Sequence, residues 1–560
     1  MRGTDYMSAS DKKKLRKEER LAALTEKQQQ AKKEAKKLKA MSISFIAVLA
    51  VILLVFGWMM VDSYLKVNGV FEKKTIVATI DGTDLNTVEF SYYYADAIDN
   101  YYQNAYSQYG TSTQILLMSY GLDITKPLNE QENPETGDTW ANYFIEIALS
   151  NAKSDYALYN KAIAAGFDPN SEDVNAIVDQ EANNLMWNGY FAGSVDNYLR
   201  TVYCNGATEE GYLNYIRRNA VAGSYYNKYM EDLTYTDTQI SEYTNDRYNE
   251  FSSFSYNYYT ISYTKYLNAE EGTKNEETGA VTYSEEQKNA AREAARKDAE
   301  ALAACNSLEA FNLAIASLSF NKDLTTPAIS TASTDVLYAT LKEEYATWLA
   351  ETDRKEFDVK AFPVETTTTV DGKEVKVVDS YNIIMYLSTN DNLQKHGNVR
   401  HVLVQYEQSL DDTGNYTVTD DAKKAAREEA EKLYTEWKEA GATKEAFIEM
   451  AKEHSEDPGV TENEGLYEDI HPSSEYLTEF RDWAVDPERA EGDHAIVETS
   501  SGCHIMYFEG HSDETYRDYL VNTSMVNEDM EKWYDGILEA AKAELKDTSR
   551  LNKSMVISAE

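Results

Sequence analysis

The stretch "MSISFIAVLAVILLVFGWMMV", Met41 to Val61, carries no charge over 21 residues. About 20 apolar residues in a helix cross the hydrocarbon core of a bilayer, so this run separates a short N-terminal segment from a large body. Residues 1–39 hold 13 Lys/Arg against 6 Asp/Glu, a balance of +7. The remainder holds 41 basic and 90 acidic residues, a balance of −49. Lysine and arginine accumulate on the cytoplasmic side of a span. The basic segment 1–39 is therefore expected in the cytoplasm, residues 40–62 as a single transmembrane helix in the cell membrane, and the body outside. A cleaved signal peptide is the second reading. It ranks lower because the basic flank is long, the apolar run exceeds a signal core, and no small-residue cleavage pattern comes promptly after it. No cysteine stands there to carry a lipid.

An acidic body argues against nucleic acid as a partner, since phosphate binding draws on Lys and Arg. With 42% hydrophobic and 27% charged residues the chain reads as folded, and its length as several domains. Cys204, Cys305 and Cys503 are an odd set and no disulfide framework; whether Cys204 and Cys305 pair stays open. No CxxC, HExxH or EF-hand pattern occurs, so neither metal nor cofactor is expected.

Residues 63–79 read as a juxtamembrane linker leading into a strand. Residues 80–250 are mostly helical by their three- and four-residue apolar spacing, with Asn86 or Thr87 capping the first helix. This stretch is rich in tyrosine. Tyrosines at helical spacing are core or helix-contact residues; the alternative is an amphipathic surface that holds unfolded chains.

Residues 251–390 and 397–510 resemble each other. Each opens in a strand, "FSYNYYTISYTKY" and "GNVRHVLVQYEQ", before a charged helix containing "AARE" and later "EAF". Each then runs through "YATWLAETDRKEFDVKAFPVET" or "FRDWAVDPERAEGDHAIVET" to a closing strand, "YNIIMYL" or "CHIMYF". All seven histidines lie between 396 and 511. Laid copy on copy, His401 faces Tyr258 and His504 faces Ile383, so chemistry resting on the pair belongs to the second copy alone. His396, His454, His471, His494 and His511 read as surface residues.

"VRHVLVQ", "EAFIEMAKEHSEDPG", "EFRDWAVD" and "VETSSGCHIMYF" together resemble parvulin-type (PpiC-like) peptidyl-prolyl cis-trans isomerases. The whole layout is similar to that of membrane-anchored foldases of the PrsA and SurA type. The resemblance implies an α+β multidomain chain: one N-terminal transmembrane helix, a helical chaperone domain (80–250), a degenerate parvulin-like domain (251–390), and a parvulin domain (397–510). A C-terminal helix (511–560) would return to the chaperone domain. It implies an extracytoplasmic foldase at a bacterial membrane, acting on X–Pro bonds of unfolded or newly exported polypeptides. Whether the chain forms a homodimer stays open.

Carried over by motif, His401, Asp457 and His504 are the implied catalytic residues. Leu403, Tyr476, Phe480, Thr499 and Ser501 are the implied substrate-binding residues. Two positions depart from the family: "ENEGLYEDI" lacks the usual Gly-Gly-Asp-Leu-Gly, and Tyr476 stands where methionine is usual. A tethered chaperone with parvulin-like scaffolds and no catalysis is the alternative function. A hydrolase is a weak third reading, from the adjacent His454 and Ser455 alone.

Overall fold

The computed structural model describes residues 9–275, 278–370, 373–410 and 416–557. The first eight residues of the basic segment, the last three of the C-terminal segment and short stretches of both repeats lie outside the described residues. The chain divides into two units, Met1–Leu233 with Met530–Glu560, and Thr234–Asp529.

In the first unit, the basic segment and the apolar run form one continuous helix, α1 (Ala9–Val67). It contains the one helix long and apolar enough to span a membrane among the described residues. The stretch expected as a linker, 63–79, is therefore largely structured. Its start extends α1, and its end is β1 (Ile76–Ile80), whose Val77, Ala78 and Ile80 are buried and could not lie in a solvated tether. β2 (Thr83–Asn86) pairs antiparallel with β1.

Asn86 then caps α2 (Thr87–Tyr109): its side chain accepts from the Val88 and Glu89 amides while Glu89 bonds back to the Asn86 amide. Next come α3 (Thr113–Ser119), α4 (Trp140–Ala164), α5 (Glu172–Ala192), α6 (Val195–Val202) and α7 (Glu209–Glu231). Their core is largely aromatic. Tyr92, Tyr93, Tyr94, Tyr102, Tyr212 and Tyr215 are buried, so these tyrosines are packing residues and offer no open surface. Two of their hydroxyls meet half-buried acids: Tyr215 donates to Asp96 at 2.5 Å, and Tyr93 bonds Asp155, which also pairs with Arg218.

The second unit opens with α8 (Asp237–Thr244) and holds two sheets of one topology. The first copy comprises β3 (Ser253–Ser262), the hairpin β4 (Thr273–Lys274) and β5 (Val281–Thr282), α9 (Glu285–Ala303), α10 (Leu308–Ala316), β6 (Thr331–Leu337), α11 (Glu343–Leu349), β7 (Val359–Val370) and β8 (Lys373–Asn390). The second comprises β9 (Lys395–Gln405), the hairpin β10 (Gln408–Leu410) and β11 (Tyr416–Val418), α12 (Asp420–Glu439), α13 (Lys444–His454), α14 (Val460–Asn463), β12 (Leu466–Ile470), α15 (Thr478–Ala484), β13 (His494–Glu498) and β14 (Gly502–Thr515). Strand order is β6-β3-β8-β7 in one and β12-β9-β14-β13 in the other, all antiparallel.

Small details repeat as well. Arg354 stacks on Trp348 at 4.2 Å and bonds its carbonyl; Arg489 does the same to Trp483 at 4.0 Å. Phe357 and Asp358 bracket Tyr386 with two backbone hydrogen bonds, as Gly492 and Asp493 bracket Phe508. With Tyr386 and Phe508 equivalent, Asn382 stands where His504 stands. The sequence expectation of Ile383 is corrected by one residue. Ile383 lies on the opposite face, against α9 and α10, because a slip of one residue along a strand reverses every side chain.

α16 (Tyr516–Ala540) and β15 (Ala543–Leu545) close the chain. Residues 511–515, expected to open the C-terminal helix, still belong to β14. Ile537 and Ala541 pack with Ala157, Leu158 and Ala222, and β15 pairs with β1. Cys204, Cys305 and Cys503 are free thiols; Cys204 belongs to the first unit and Cys305 to the second.

Candidate active site

Side chains alternate across a strand. Val402 and Val404 of β9 face α12 and α13, which puts His401 and Leu403 on the side of α15. β14 pairs with β9 so that Leu403 is opposite His504 and His401 is opposite Met506. His401 and His504 are thus diagonal neighbours on one face, the spacing at which long side chains meet. Their Nδ1 atoms lie 3.0 Å apart. Arg400, one residue away and pointing to the other side, pairs with Glu509 and donates to the Glu464 carbonyl at 2.8 Å, fixing β9 to its neighbours.

Asp457 arrives from the loop after α13. Ser455 Oγ accepts from the Leu403 and Asp457 amides, and the Glu456 amide donates to the Leu403 carbonyl at 2.8 Å, which fastens this loop to the edge of β9. Asp457 Oδ2 lies 3.4 Å from His401 Nε2 and accepts from the Tyr467 hydroxyl at 2.8 Å. The His401 bond first, and Tyr467 after it, hold the Asp457 carboxyl below its usual range. Behind the pair, Thr499 Oγ1 is 3.0 Å from His504 Nε2.

These partners define one direction. An ionised Asp457 only accepts, so His401 carries its proton on Nε2 and its Nδ1 accepts from His504. A neutral His504 then has a free Nε2 lone pair, and Thr499 donates to it. Donors then run Thr499, His504, His401, Asp457. Burial, with the His401 ring adding to it, pushes the His504 imidazolium down to about 3, which keeps that ring neutral across the physiological range.

In front of the rings is a cavity of about 200 Å³ lined by His401, Leu403, Asp457, Tyr467, Tyr476, Leu477, Phe480, Ser501 and His504. Sites for drug-sized molecules run to ~300–1,000 Å³, so this one suits a single side chain. Phe480 stands edge-on to both imidazoles, at 5.1 and 5.4 Å between centroids.

Seven of the eight residues expected from sequence meet here. Thr499 is the exception: it sits behind His504, bonded to the ring, and outside the cavity lining. Tyr467 and Leu477 join the lining without a sequence signal of their own. Tyr467 lies in "ENEGLYEDI", the segment that departs from the family pattern. That segment keeps the glycine the geometry requires. Gly465, at φ +77°, accepts from the His401 amide at 3.0 Å, and a Cβ there would meet the His401 carbonyl oxygen at 2.7 Å.

Among the remaining histidines only His454 is exposed. His396 is 1% exposed, and it and Tyr519 flank His471, whose ring stacks on Tyr519 at 4.0 Å. His494 bonds the Tyr434 hydroxyl at 2.6 Å, and His511 the Arg489 carbonyl at 3.2 Å. The expectation of surface positions is corrected for these four, since strand ends in this sheet are covered by neighbouring elements. Ser455 is spent on backbone amides and His454 pairs with Glu453, so the two form no nucleophile–base couple. Among the described residues no group of three or more His, Cys, Asp or Glu is placed to hold a metal.

Residues 401–510 match the family model of the rotamase, PPIC-type PPIase domain. This segment is a parvulin-type isomerase domain. Among solved structures the chain is similar to the peptidylprolyl isomerase PrsA from Bacillus anthracis, at 20% identity over 27% of this chain and 59% of that one, with a TM-score of 0.17. It is similar to the PrsA of Bacillus cereus at 20% identity over 29% of this chain and 56% of that one, TM-score 0.17. The PrsA of Bacillus subtilis matches at 19% identity over 29% and 56%, with the same TM-score. The chain thus spans less than two thirds of each of these proteins. No curated protein sequence matches it. The parvulin-type domain contains both central histidines, Asp457 and the whole cavity.

Proposed function

We propose that this chain is a membrane-tethered foldase that catalyses cis-trans isomerisation of X–Pro bonds in exported polypeptides. α1 would anchor it with the N-terminus in the cytoplasm and the body outside, as the charge asymmetry across Met41–Val61 supports. Rotation about an X–Pro bond is slow because the amide C–N bond has partial double-bond character, with a barrier of roughly 18–20 kcal/mol. No bond is broken. The catalyst has to bind the twisted amide better than either planar form.

The single observation that carries the reading is the His401–His504 pair at the floor of an apolar cavity that fits one ring. Leu403, Phe480, Tyr476 and Leu477 would grip the proline ring. His401, held by Asp457 and His504, would present a fixed dipole to the twisting amide. The first copy, with Tyr258 and Asn382 in place of the histidines, would be scaffold. The helical unit would hold clients; the exposed Ile115, Met118 and Tyr120, in a stretch with no charge between Asp99 and Asp123, support that role.

The test is the cis-to-trans rate of a short X–Pro peptide with the full chain in detergent, beside His401→Ala/His504→Ala. Acceleration by the parent and not by the variant is the expected result. Absence of acceleration by a folded parent that still keeps an unfolded client soluble would select the non-catalytic tethered chaperone.

A further inference from the structure

The corner between α5 and α6 is an exposed aromatic ridge. From Ala182 to Val195 there is no charge, in a chain of net charge −42. Leu185 faces inward and is buried. Gly189 lets the two helices close, since a Cβ there would meet the Val195 amide nitrogen at 2.7 Å. The opposite face carries Met186, Trp187, Tyr190 and Phe191. Trp187, Tyr190 and Phe191 are 74%, 79% and 84% exposed and form one contiguous apolar patch of the kind that marks an interaction site.

The ridge has a definite place in its unit. α5 runs antiparallel to α7: Arg217 donates to Asn175 at 2.7 Å, and the Tyr212 hydroxyl to Glu181 at 3.2 Å. Continued at that register, residue 185 comes level with Thr208, the N-cap of α7. Met186–Phe191 therefore overhang the end of α7 by up to about 9 Å, at about 1.5 Å per residue. The loop at that end, Asn205–Gly206, is the segment that meets the outer end of α1: a Cβ on Gly69 would lie 2.3 Å from the Asn205 carbonyl oxygen. From Val61, where the apolar run ends, to Val67, where α1 ends, is again about 9 Å of helix. The overhang and the stand-off from the bilayer are of one length.

We propose that the α5–α6 corner is a second membrane contact, seating Trp187, Tyr190 and Phe191 at the headgroup–acyl boundary beside the emerging α1. Tryptophan and tyrosine favour that boundary, and an uncharged corner is the part of an acidic body that can approach anionic lipid without repulsion. Two contacts hold the helical unit at a fixed attitude to the bilayer, where one helix alone leaves it free to swing. The inference rests on reading α1 as a membrane anchor.

The experiment uses the full chain in liposomes, with and without lipids brominated in the upper acyl chain, and follows tryptophan emission. Trp58 lies in the apolar run and reports the anchor; Trp187 reports the corner. In Trp58→Phe, brominated lipid is expected to remove most of Trp187's share of the emission, and Trp58→Phe/Trp187→Phe is expected to show no such loss. Tyr190→Asp/Phe191→Asp in the Trp58→Phe background should restore the emission. Quenching in Trp187→Phe with none in Trp58→Phe would overturn the proposal and leave the anchor standing, with an unfolded client as the remaining occupant of the ridge. No quenching in either variant would overturn the anchor and the proposal together.

Discussion

Asn382 occupies in the first sheet the register position that His504 occupies in the second, two residues along from the partners of Tyr258 and His401. The two sheets share strand order, a Trp–Arg stack and a bracketed aromatic, so the two positions can be compared side chain for side chain. Replacing His504 with the residue of the first copy isolates it. His504→Asn leaves Thr499 and His401 without their buried partner, at about 1–3 kcal/mol, which is roughly fivefold to more than a hundredfold in rate. We expect kcat/KM for an X–Pro peptide to fall by that amount, and Asn382→His to leave it unchanged. An unaltered rate in His504→Asn would remove the imidazole pair from the mechanism.

Much of the second domain is legible in its sequence because its functional residues sit in short, locally regular motifs. The β9 run sets His401 at the head of the short apolar run Val402–Val404, and "SEDPG" ends a helix of evident period. The features that escape a sequence reading do so for physical causes. Tyr467 enters through β12, where the register shifts between Tyr467 and Ile470, so no two-residue period marks its face. Thr499 looks like a substrate contact because motif proximity to His504 does not say on which side of the ring a hydroxyl lies. Asn382 is missed by one position because the letters Met-Tyr recur in both closing strands one place out of structural register. His396 looks exposed because Lys395 and Gly397 beside it resemble a strand end, whereas His471 and Tyr519 cover it.

Acidification should act on the two units with opposite sign. Burial, then the nearby His396, lowers His471 to about 4, and burial lowers His504 to about 3, from the usual 6.5. Between those values and 6.5 the unfolded state binds more protons than the folded, so stability of the second unit falls as the pH drops through that window. In the helical unit, burial holds Asp96 up at about 6 against the Tyr215 bond, with Asp99 and Glu181 adding to the rise. There the folded state binds the extra proton, so stability increases as the pH falls from above 6 towards 4 and is lost on the way back. Thermal unfolding of the full chain from pH 8 to pH 4.5, monitored by hydrogen exchange in each unit, reads both slopes. Asp96→Asn should remove only part of the first, because burial also holds Asp155 of the same unit up at about 6, and His471→Gln part of the second; parallel slopes in the two units would contradict the assignment.

The direction of the hydrogen-bond relay should be reversible. Asp457→Asn supplies an amide that donates to His401 Nε2. His401 would then carry its proton on Nδ1 and donate to His504, whose Nε2–H would donate to Thr499 in turn. The Tyr467 hydroxyl, which donates to the same Asp457 oxygen, would have to turn and accept from the new amide; with that one adjustment the fold should persist, while the dipole that His401 presents to the cavity is inverted. Proton–nitrogen correlation spectra should show both rings changing tautomer, with kcat falling more than KM changes. Tautomers that stay as in the parent would mean that Asp457 does not set the relay.

Gly465 ties the position of His401 to the backbone beside it. Its φ of +77° is one that a side chain takes up only with strain. A methyl group there is directed at the His401 carbonyl oxygen, a backbone atom on the β12 side of β9 that moves only with its strand. Gly465→Ala should therefore cost about 1–3 kcal/mol of stability. Relief of the contact moves His401 away from β12, and with it the 3.4 Å approach to Asp457 that fixes the tautomer. Measured at a temperature where the variant remains folded, kcat/KM should fall and the affinity for a proline-containing peptide should change little, because Phe480 and Leu403 are not displaced. A variant that is less stable yet fully active when folded would show that the strand gives way at Gly465 without carrying His401 along.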